Sequence, residues 1–407
     1  MNMNHGVGFY DHAKDLLAIN NCGWYQQYTY PQYNILQADF MTHPFLGINH
    51  PFQAPIYPCI DTIACEGPSF IADVFAASPS QLLDIALEQQ SSTHLQSFMR
   101  SACHKDDAMV LLKRLLPSFM TLCQDPIGNY VAQLIVEIAD ESIFSAVSYT
   151  VIQHLYDLAT HAHGTRVVQK LIAESSSRKK STDLIKALEA VAKDLAVDPH
   201  GCYVILKSIE ELRFDWLYKT LLDDDKVACS RFGVVVIKRM IAKTPDESCM
   251  NALLEMTTSH FTHMLTDPFG NYAVQHLLQL SHLCHSGVGC LSLTRMVELV
   301  ASDFARYANN KYSCNTVELL AKISGSMLVE KLIVTKRPMA TMISDRYGYF
   351  VLRTLLHSIA AEQRLHLVDL LLCDLGVSLT DITRNTLDVN RQRLVRKLKQ
   401  LVPDWNY

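Results

Sequence analysis

From about residue 69 onward, apolar residues recur at i, i+3, i+4 and i+7, as in Phe75, Leu82, Leu83, Ile85, Ala86 and Leu87. That period gathers them on one face of a helix. The period-two alternation of a half-buried strand is nearly absent, and the short breaks between helical stretches carry Gly, Pro, Ser or Asp. The pattern predicts an all-α fold. Residues 1–65 read differently. Tyr10, Trp24, Tyr25, Tyr28, Tyr30 and Tyr33 lie among Asn, Gln and Pro, Lys14 is the only Lys or Arg, and Pro44, Pro51, Pro55 and Pro58 would interrupt any helix. This predicts a poorly ordered N-terminal tail, with 66–407 as the folded part. No run of about 18 uncharged apolar residues occurs, so no membrane span is expected. Asp11, Lys14 and Asp15 flank the only weakly apolar stretch near the N-terminus, which argues against a signal peptide.

The helical region repeats itself. Asp125-Pro126-Ile127-Gly128-Asn129-Tyr130-Val131-Ala132-Gln133 returns as Asp267-Pro268-Phe269-Gly270-Asn271-Tyr272-Ala273-Val274-Gln275, and as Asp198-Pro199-His200-Gly201-Cys202-Tyr203-Val204-Ile205-Leu206. Weaker copies follow His163-Gly164, Phe232-Gly233, Tyr312-Ser313 and Tyr347-Gly348, and a first copy lies at Gln90–Gln96. The residue after the Gly, or after its Ser stand-in, falls at 92, 129, 165, 202, 234, 271, 314 and 349, with spacings of 37, 36, 37, 32, 37, 43 and 35. Eight units of this size make an α-solenoid, since none can bury its own apolar face alone. The longest spacing contains Ser281–Leu291 with Gly287 and Gly289, which reads as an inserted loop.

Each repeat is expected to hold one helix upstream of the string, such as Leu111–Leu122, and a second helix beginning at the Gly. Asp-Pro-x-Gly reads as the turn between them. Residues i and i+4 then share one face. Polar pairs recur there: Ser92/Gln96, Asn129/Gln133, Thr165/Gln169, Asn271/Gln275 and Cys314/Glu318. An Asn after a turn is a favoured N-cap, but capping does not explain a Gln or Glu four residues later. Beside the pairs runs a second row: Thr93, Tyr130, Arg166, Tyr203, Val235, Tyr272, Asn315 and Phe350. Flat side chains at regular intervals can stack on splayed bases, and polar pairs at the same intervals can bond base edges.

The net charge of −5 gives no basic footprint, so bulk electrostatics does not point to a nucleic acid. Lys170, Lys207, Lys238 and Arg239 lie on the second helices and are candidate phosphate contacts. Arg391, Arg393, Arg396, Lys397 and Lys399 surround Leu394, Leu398 and Leu401 and read as the solvated face of a capping helix. The 12 Cys include no CxxC pair and read as reduced, mostly buried thiols in a cytoplasmic protein. His260-x-x-His263 has no matching Cys or acidic partner nearby in sequence. The group His282, Cys284, His285 and Cys290 lacks ligand-pair spacing. Neither is expected to bind metal. No HExxH, GxSxG, Walker or GxGxxG motif is present, so no enzyme, cofactor or small-molecule substrate is expected.

Over about residues 70–403 the sequence resembles the Pumilio (PUF) family of RNA-binding repeat proteins, on the strength of the Gly-Asn-Tyr-Val-x-Gln string and its degenerate partners at the right period. The divergent centre looks like that of nematode members. The resemblance implies a right-handed α-solenoid crescent of eight repeats with terminal caps, lined by the second helices, with single-stranded mRNA running antiparallel to the protein. It further implies that Asn with Gln suits uracil, Glu suits guanine, and Cys, Ser or Thr with Gln suits adenine. Repeat 1 (Ser92, Thr93, Gln96) would read A, repeat 2 (Asn129, Tyr130, Gln133) U, and repeat 3 (Thr165, Arg166, Gln169) A. Repeat 6 (Asn271, Tyr272, Gln275) would read U, and repeat 7 (Cys314, Asn315, Glu318) G. Repeat 4 (Cys202, Tyr203, Leu206) keeps a stacker without the Gln. Repeat 5 (Val234, Val235, Lys238) has lost both. Repeat 8 (Tyr349, Phe350, Arg353) departs from the pattern that reads the 5′ uracil.

The expected target is 5′-(U)GU, a loosely specified middle, then AUA-3′, in a 3′-UTR, with repression of translation or promotion of decay through protein co-regulators. Those partners are expected on the outer face or the loops, near Ile323–Ser326 or Lys336–Pro338, and the chain is expected to be a monomer. The competing reading is a HEAT- or armadillo-like solenoid that binds a protein or peptide, with the polar pairs incidental.

Overall fold

The register that repeats the polar string also repeats the core. Nine residues before the Gly stand Phe119, Leu155, Ala192, Phe261, Phe304 and Met339, and six before it stand Leu122, Leu158, Leu195, Val227, Met264, Tyr307 and Met342. All of these are buried. Three residues after it come Val131, Val167, Val204, Val236, Ala273, Thr316 and Val351, again buried. In the computed structural model, which describes residues 68–402 except 102–104, 245 and 282–287, these positions build an all-α solenoid. The expected N-terminal tail, and all of the expected loop at 281–291 but its ends, lie outside the described residues.

The second helices are Gln89–Arg100, Gly128–Ile138, Gly164–Ser177, Gly201–Glu211, Gly233–Lys243, Gly270–Ser281, the first part of Cys314–Thr335, and Gly348–His357. Each packs against the next along the chain. Leu134, Ile135, Leu171, Ile205, Ile237, Leu277, Leu320 and Leu355 bury that contact. Burial of one such aliphatic side chain contributes about 1.5–3 kcal/mol.

Two expectations about the repeat change. Leu111–Leu122 is not one helix. Lys105–Leu115 ends, Pro117 sits in a 3₁₀ turn at Leu116–Ser118, and a short helix, Phe119–Gln124, leads into the string. Pro has no N–H to continue the first helix. Similar short helices occur at Leu155–Thr160, Phe261–Thr266 and Phe304–Ala308, whereas Thr182–Val197 runs through unbroken. Two repeats have neither form: repeat 8 has a 3₁₀ turn at Ala340–Ile343, and in repeat 5 the chain is irregular over 222–232 after Asp215–Leu221. Asp224 stands there at the position where other repeats place Phe, Leu, Ala or Met, which removes the apolar anchor of the short helix. Secondly, Ile323–Ser326 is no loop. Cys314–Thr335 passes through it with a kink at Ser324 (φ −136°, ψ 33°), and the following Gly325 is buried, with Ile359 and Ser358 close by.

The string's glycines are required by contact, not by unusual torsions. A Cβ on Gly201 would lie 2.8 Å from the Leu195 carbonyl oxygen and 2.9 Å from its Cα. Repeat 7 has Ser313 at this position, and its hydroxyl donates to the equivalent carbonyl, that of Tyr307, at 2.6 Å. After the repeats, Ala361–Leu375, Leu379–Thr383 and Val389–Leu401 close the array, the last burying Val395, Leu398 and Leu401 beneath exposed Arg391, Arg393 and Arg396.

Candidate nucleic-acid interface

The turn before each second helix is capped three residues before the Gly. Asp125 Oδ1 accepts from the N–H of Ile127 and Gly128 at 2.7 and 2.6 Å, and Asp198, Asp267 and Asp345 do the same in their repeats. His161, Ser230, Asn310 and Glu88 take over in the others. Asn129 is therefore not the cap. Its Nδ2 donates back to the carbonyls of Asp125 and Pro126, at 2.9 Å each, which fixes the side chain and aims Oδ1 along the helix. Asn271 donates likewise to Asp267 O at 2.7 Å.

The member four residues on completes each rung. Gln133 Nε2 donates to Asn129 Oδ1 at 3.0 Å, Gln275 to Asn271 at 2.9 Å, Gln169 to Thr165 Oγ1 at 3.1 Å and Gln96 to Ser92 Oγ at 3.2 Å. The first members are buried: Ser92, Asn129, Thr165 and Asn271 are each at most 3% exposed. Gln96 and Gln133 are half-buried, whereas Gln169 and Gln275 are buried, at 9% and 6% exposed. The rungs are thus hydrogen-bonded pairs embedded in the second helices, most open at Gln96 and Gln133.

Repeat 7 differs. Glu318 Oε1 accepts from Thr354 Oγ1 at 3.0 Å and pairs with Lys322 at 3.0 Å. Burial pushes the thiol of Cys314 up to about 11 and that of Cys202 up to about 12, so both are neutral S–H groups at pH 7. Cys202 and Leu206 in repeat 4 and Val234 in repeat 5 are buried, and Lys238 is half-buried with its pKa lowered by that burial.

The row beside the rungs is more open. Tyr130, Tyr203, Tyr272, Tyr349 and Phe350 are half-buried, and Arg166, Asn315 and Arg353 are exposed. Arg166 lies close enough to Tyr203 for its charge to be felt by the phenol, and the Arg353 guanidinium sits 5.3 Å from the Phe350 ring centre. Contacts between neighbouring repeats join the starts and middles of adjacent second helices: Thr165 to the His200 carbonyl, Glu318 to Thr354, and Lys238 beside His276. Rungs and stackers therefore lie along one side of the row of second helices.

The candidate phosphate contacts are largely engaged. Lys170 pairs with Glu137 at 3.1 Å and Glu174 at 3.2 Å, Lys207 with Glu211 at 2.8 Å, and Arg239 with Glu210 at 2.8 Å. Arg100 also reaches Glu137, at 3.5 Å. Two of these pairs, Lys170 with Glu137 and Arg239 with Glu210, join the same positions of successive repeats. The one-sequence reading missed this ladder because it links residues about 30 apart. It also missed the capping Asp, although an Asp three residues before the Gly recurs at 125, 198, 267 and 345. A further correction concerns His263. Folding brings it against Asp225 and Cys229, supplying the partners that local sequence lacks. The group His282, Cys284 and His285 lies outside the described residues.

Among the described residues no helix is long and apolar enough to cross a membrane. Residues 118–146, 154–186, 193–214 and 260–282 match the model of the Pumilio-family RNA binding repeat. These are repeats 2, 3, 4 and 6. A Pumilio domain-containing protein of Schizosaccharomyces pombe is 24% identical over 332 residues, covering 76% of this chain and 47% of that protein. A pumilio homolog of Arabidopsis thaliana is 26% identical over 263 residues, covering 61% and 49%. The chain thus spans about half the length of the curated relatives it matches. Among solved structures, the yeast Puf5p RNA-binding domain bound to MFA2 RNA superposes with a TM-score of 0.62 at 16% identity, covering 81% of this chain and 98% of that one. The Puf4 RNA binding domain bound to an HO endonuclease 3′ UTR sequence gives 0.60 at 19% identity, covering 77% and 97%.

Proposed function

We propose that this chain, a member of the Pumilio family of RNA-binding repeat proteins, binds single-stranded RNA sequence-specifically and reads 5′-UGU, two loosely specified bases, then AUA-3′. The observation that carries the reading is the repeated rung in which Gln Nε2 donates to the side chain four residues earlier, as in Gln133 to Asn129 and Gln275 to Asn271, beside a row of half-buried tyrosines. The Gln amide presents a fixed acceptor and a remaining N–H, which matches the mixed N3–H and carbonyl edge of uracil at repeats 2 and 6. The Glu318 carboxylate is acceptor-only and suits the N1–H and N2–H₂ donors of guanine at repeat 7. Smaller Ser92 and Thr165 leave Gln96 and Gln169 to meet adenine. Tyr130, Arg166, Tyr203, Tyr272, Asn315 and Phe350 would stand between successive bases.

Repeats 4 and 5 offer buried Cys202, Leu206 and Val234 in place of amides, which supports a weakly read centre. We further propose that the bound message is repressed through protein co-regulators, an outcome that rests on the family alone. A gel shift on the full chain tests the binding. An RNA carrying UGU and AUA is expected to bind at least ten-fold more tightly than one with ACA in place of UGU. Asn271→Ala with Gln275→Ala is expected to erase that preference. Equal binding of scrambled RNA would sink the sequence-specific reading, and no binding of any RNA would favour a protein-binding scaffold.

A further inference from the structure

Outside the RNA-facing row, one cluster brings a thiol, an imidazole and a carboxylate together. Asp225 and Cys229 are four residues apart on a single helical turn, closed by the Cys229 N–H to Asp225 O bond at 2.8 Å. They belong to the irregular segment of repeat 5. His263 comes from the short helix Phe261–Thr266 of repeat 6. Cys229 Sγ lies 3.6 Å from Asp225 Oδ2 and 3.8 Å from His263 Nδ1, and Nδ1 lies 2.5 Å from Oδ2. Among the described residues it is the one group of three such donors drawn within 4.8 Å of one another.

We propose that Asp225, Cys229 and His263 form a zinc site that ties repeat 5 to repeat 6. Tetrahedral zinc with ordinary Zn–S, Zn–N and Zn–O bonds holds its ligand atoms about 3.4–3.6 Å apart. Two edges of the triangle already approach that spacing. The third is a hydrogen bond and opens by about 1 Å when the metal replaces the shared proton. The donor set of S, N and O suits zinc rather than calcium or magnesium, which take oxygen alone.

The surroundings fit a bound cation as well. Asp225 is 11% exposed at its side chain, and its other oxygen, Oδ1, lies 3.8 Å from His260 Nδ1. Asp267 also meets the Cys229 sulfur, and its Oδ1 is held by the turn N–H groups. We assign the fourth position to its second oxygen or to water. His263 is 67% exposed at its side chain, so the metal has a path from solvent. Packing makes room for the sulfur: a Cβ on Gly270 would lie 2.8 Å from Cys229 Sγ. The location also makes mechanical sense. Repeat 5 lacks the short helix that anchors its neighbours, and the ligands bridge that gap.

The test uses the purified full chain, stripped with a chelator and titrated with cobalt(II), then zinc. One cobalt per chain is expected, with a thiolate-to-cobalt charge-transfer band that zinc abolishes. Cys229→Ser should remove the band, and His263→Ala should weaken cobalt binding at least ten-fold. Zinc should raise the melting temperature of the wild type but not of Cys229→Ser. His263 is exposed, so its variant is expected to fold. No band in the wild type, or a band that survives in Cys229→Ser, would overturn the assignment and leave the three residues as a hydrogen-bonded contact only.

Discussion

At the scale of single residues, the string separates side chains that cap the helix from those proposed to meet RNA. Asp125 satisfies two N–H groups that the helix cannot, whereas Asn129 and the half-buried Gln133 engage each other. Asp125→Ala is expected to destabilise the fold by about 1–2 kcal/mol, the usual cost of a lost cap, read as a lower urea midpoint. Gln133→Ala should leave the midpoint nearly unchanged and weaken RNA binding. The hydrogen-bonded pairs were legible in the sequence because they recur at i and i+4 in repeat after repeat. Their capping partner was just as regular, but Asp before Pro already had an adequate explanation as a turn residue. At the junction of repeats 5 and 6, burial first and the Lys238 charge second lower the pKa of His276 from its ordinary 6.5. The unfolded chain then takes up the proton first, so stability falls as pH drops below about 6.5 and the loss stops once the folded form is protonated as well. His276→Gln should flatten that part of a melting-temperature profile between pH 7 and 5.

At the scale of helices, the strings predicted the second helices well, because Gly, the aromatic and the buried aliphatic positions hold one register from 128 to 355. The upstream helix was harder to read. Its apolar residues at nine and six before the Gly fit one long helix or two short ones equally well, and only Pro117 marked a break. Repeat 5 shows what the register enforces: with Asp224 at the anchor position, the short helix is replaced by irregular chain. The close approach of that segment to the second helix sets the demand for Gly. Gly201→Ala places a methyl group against backbone atoms of Leu195 that cannot swing aside. A cost of about 1–3 kcal/mol is expected from such overpacking, measurable by urea unfolding, with RNA specificity unchanged in the folded fraction.

Across the whole chain, the acidic balance and the ion-pair ladder bear on how an RNA would be held. A protein that grips phosphates with unpaired cations releases counterions, and its affinity falls steeply with salt, with a slope of about −0.7 per phosphate on a single strand. Here Lys170, Lys207 and Arg239, cations on the second helices, are already paired with Glu137, Glu174, Glu211 and Glu210. An incoming phosphate would compete with carboxylates rather than with water. The half-buried tyrosines and the amide tips depend on stacking and hydrogen bonding, and each stacked base contributes about 1–3 kcal/mol with little regard to salt. A plot of log affinity against log salt is therefore expected to have a slope shallower than about −2, equivalent to fewer than about three phosphates. Glu137→Gln frees Arg100 and removes one of the two carboxylates on Lys170, and it should steepen that slope while tightening binding to any RNA. A slope near −5 for the wild-type chain would mean that other cations carry the backbone, and the rungs would then supply only a minor share of the affinity.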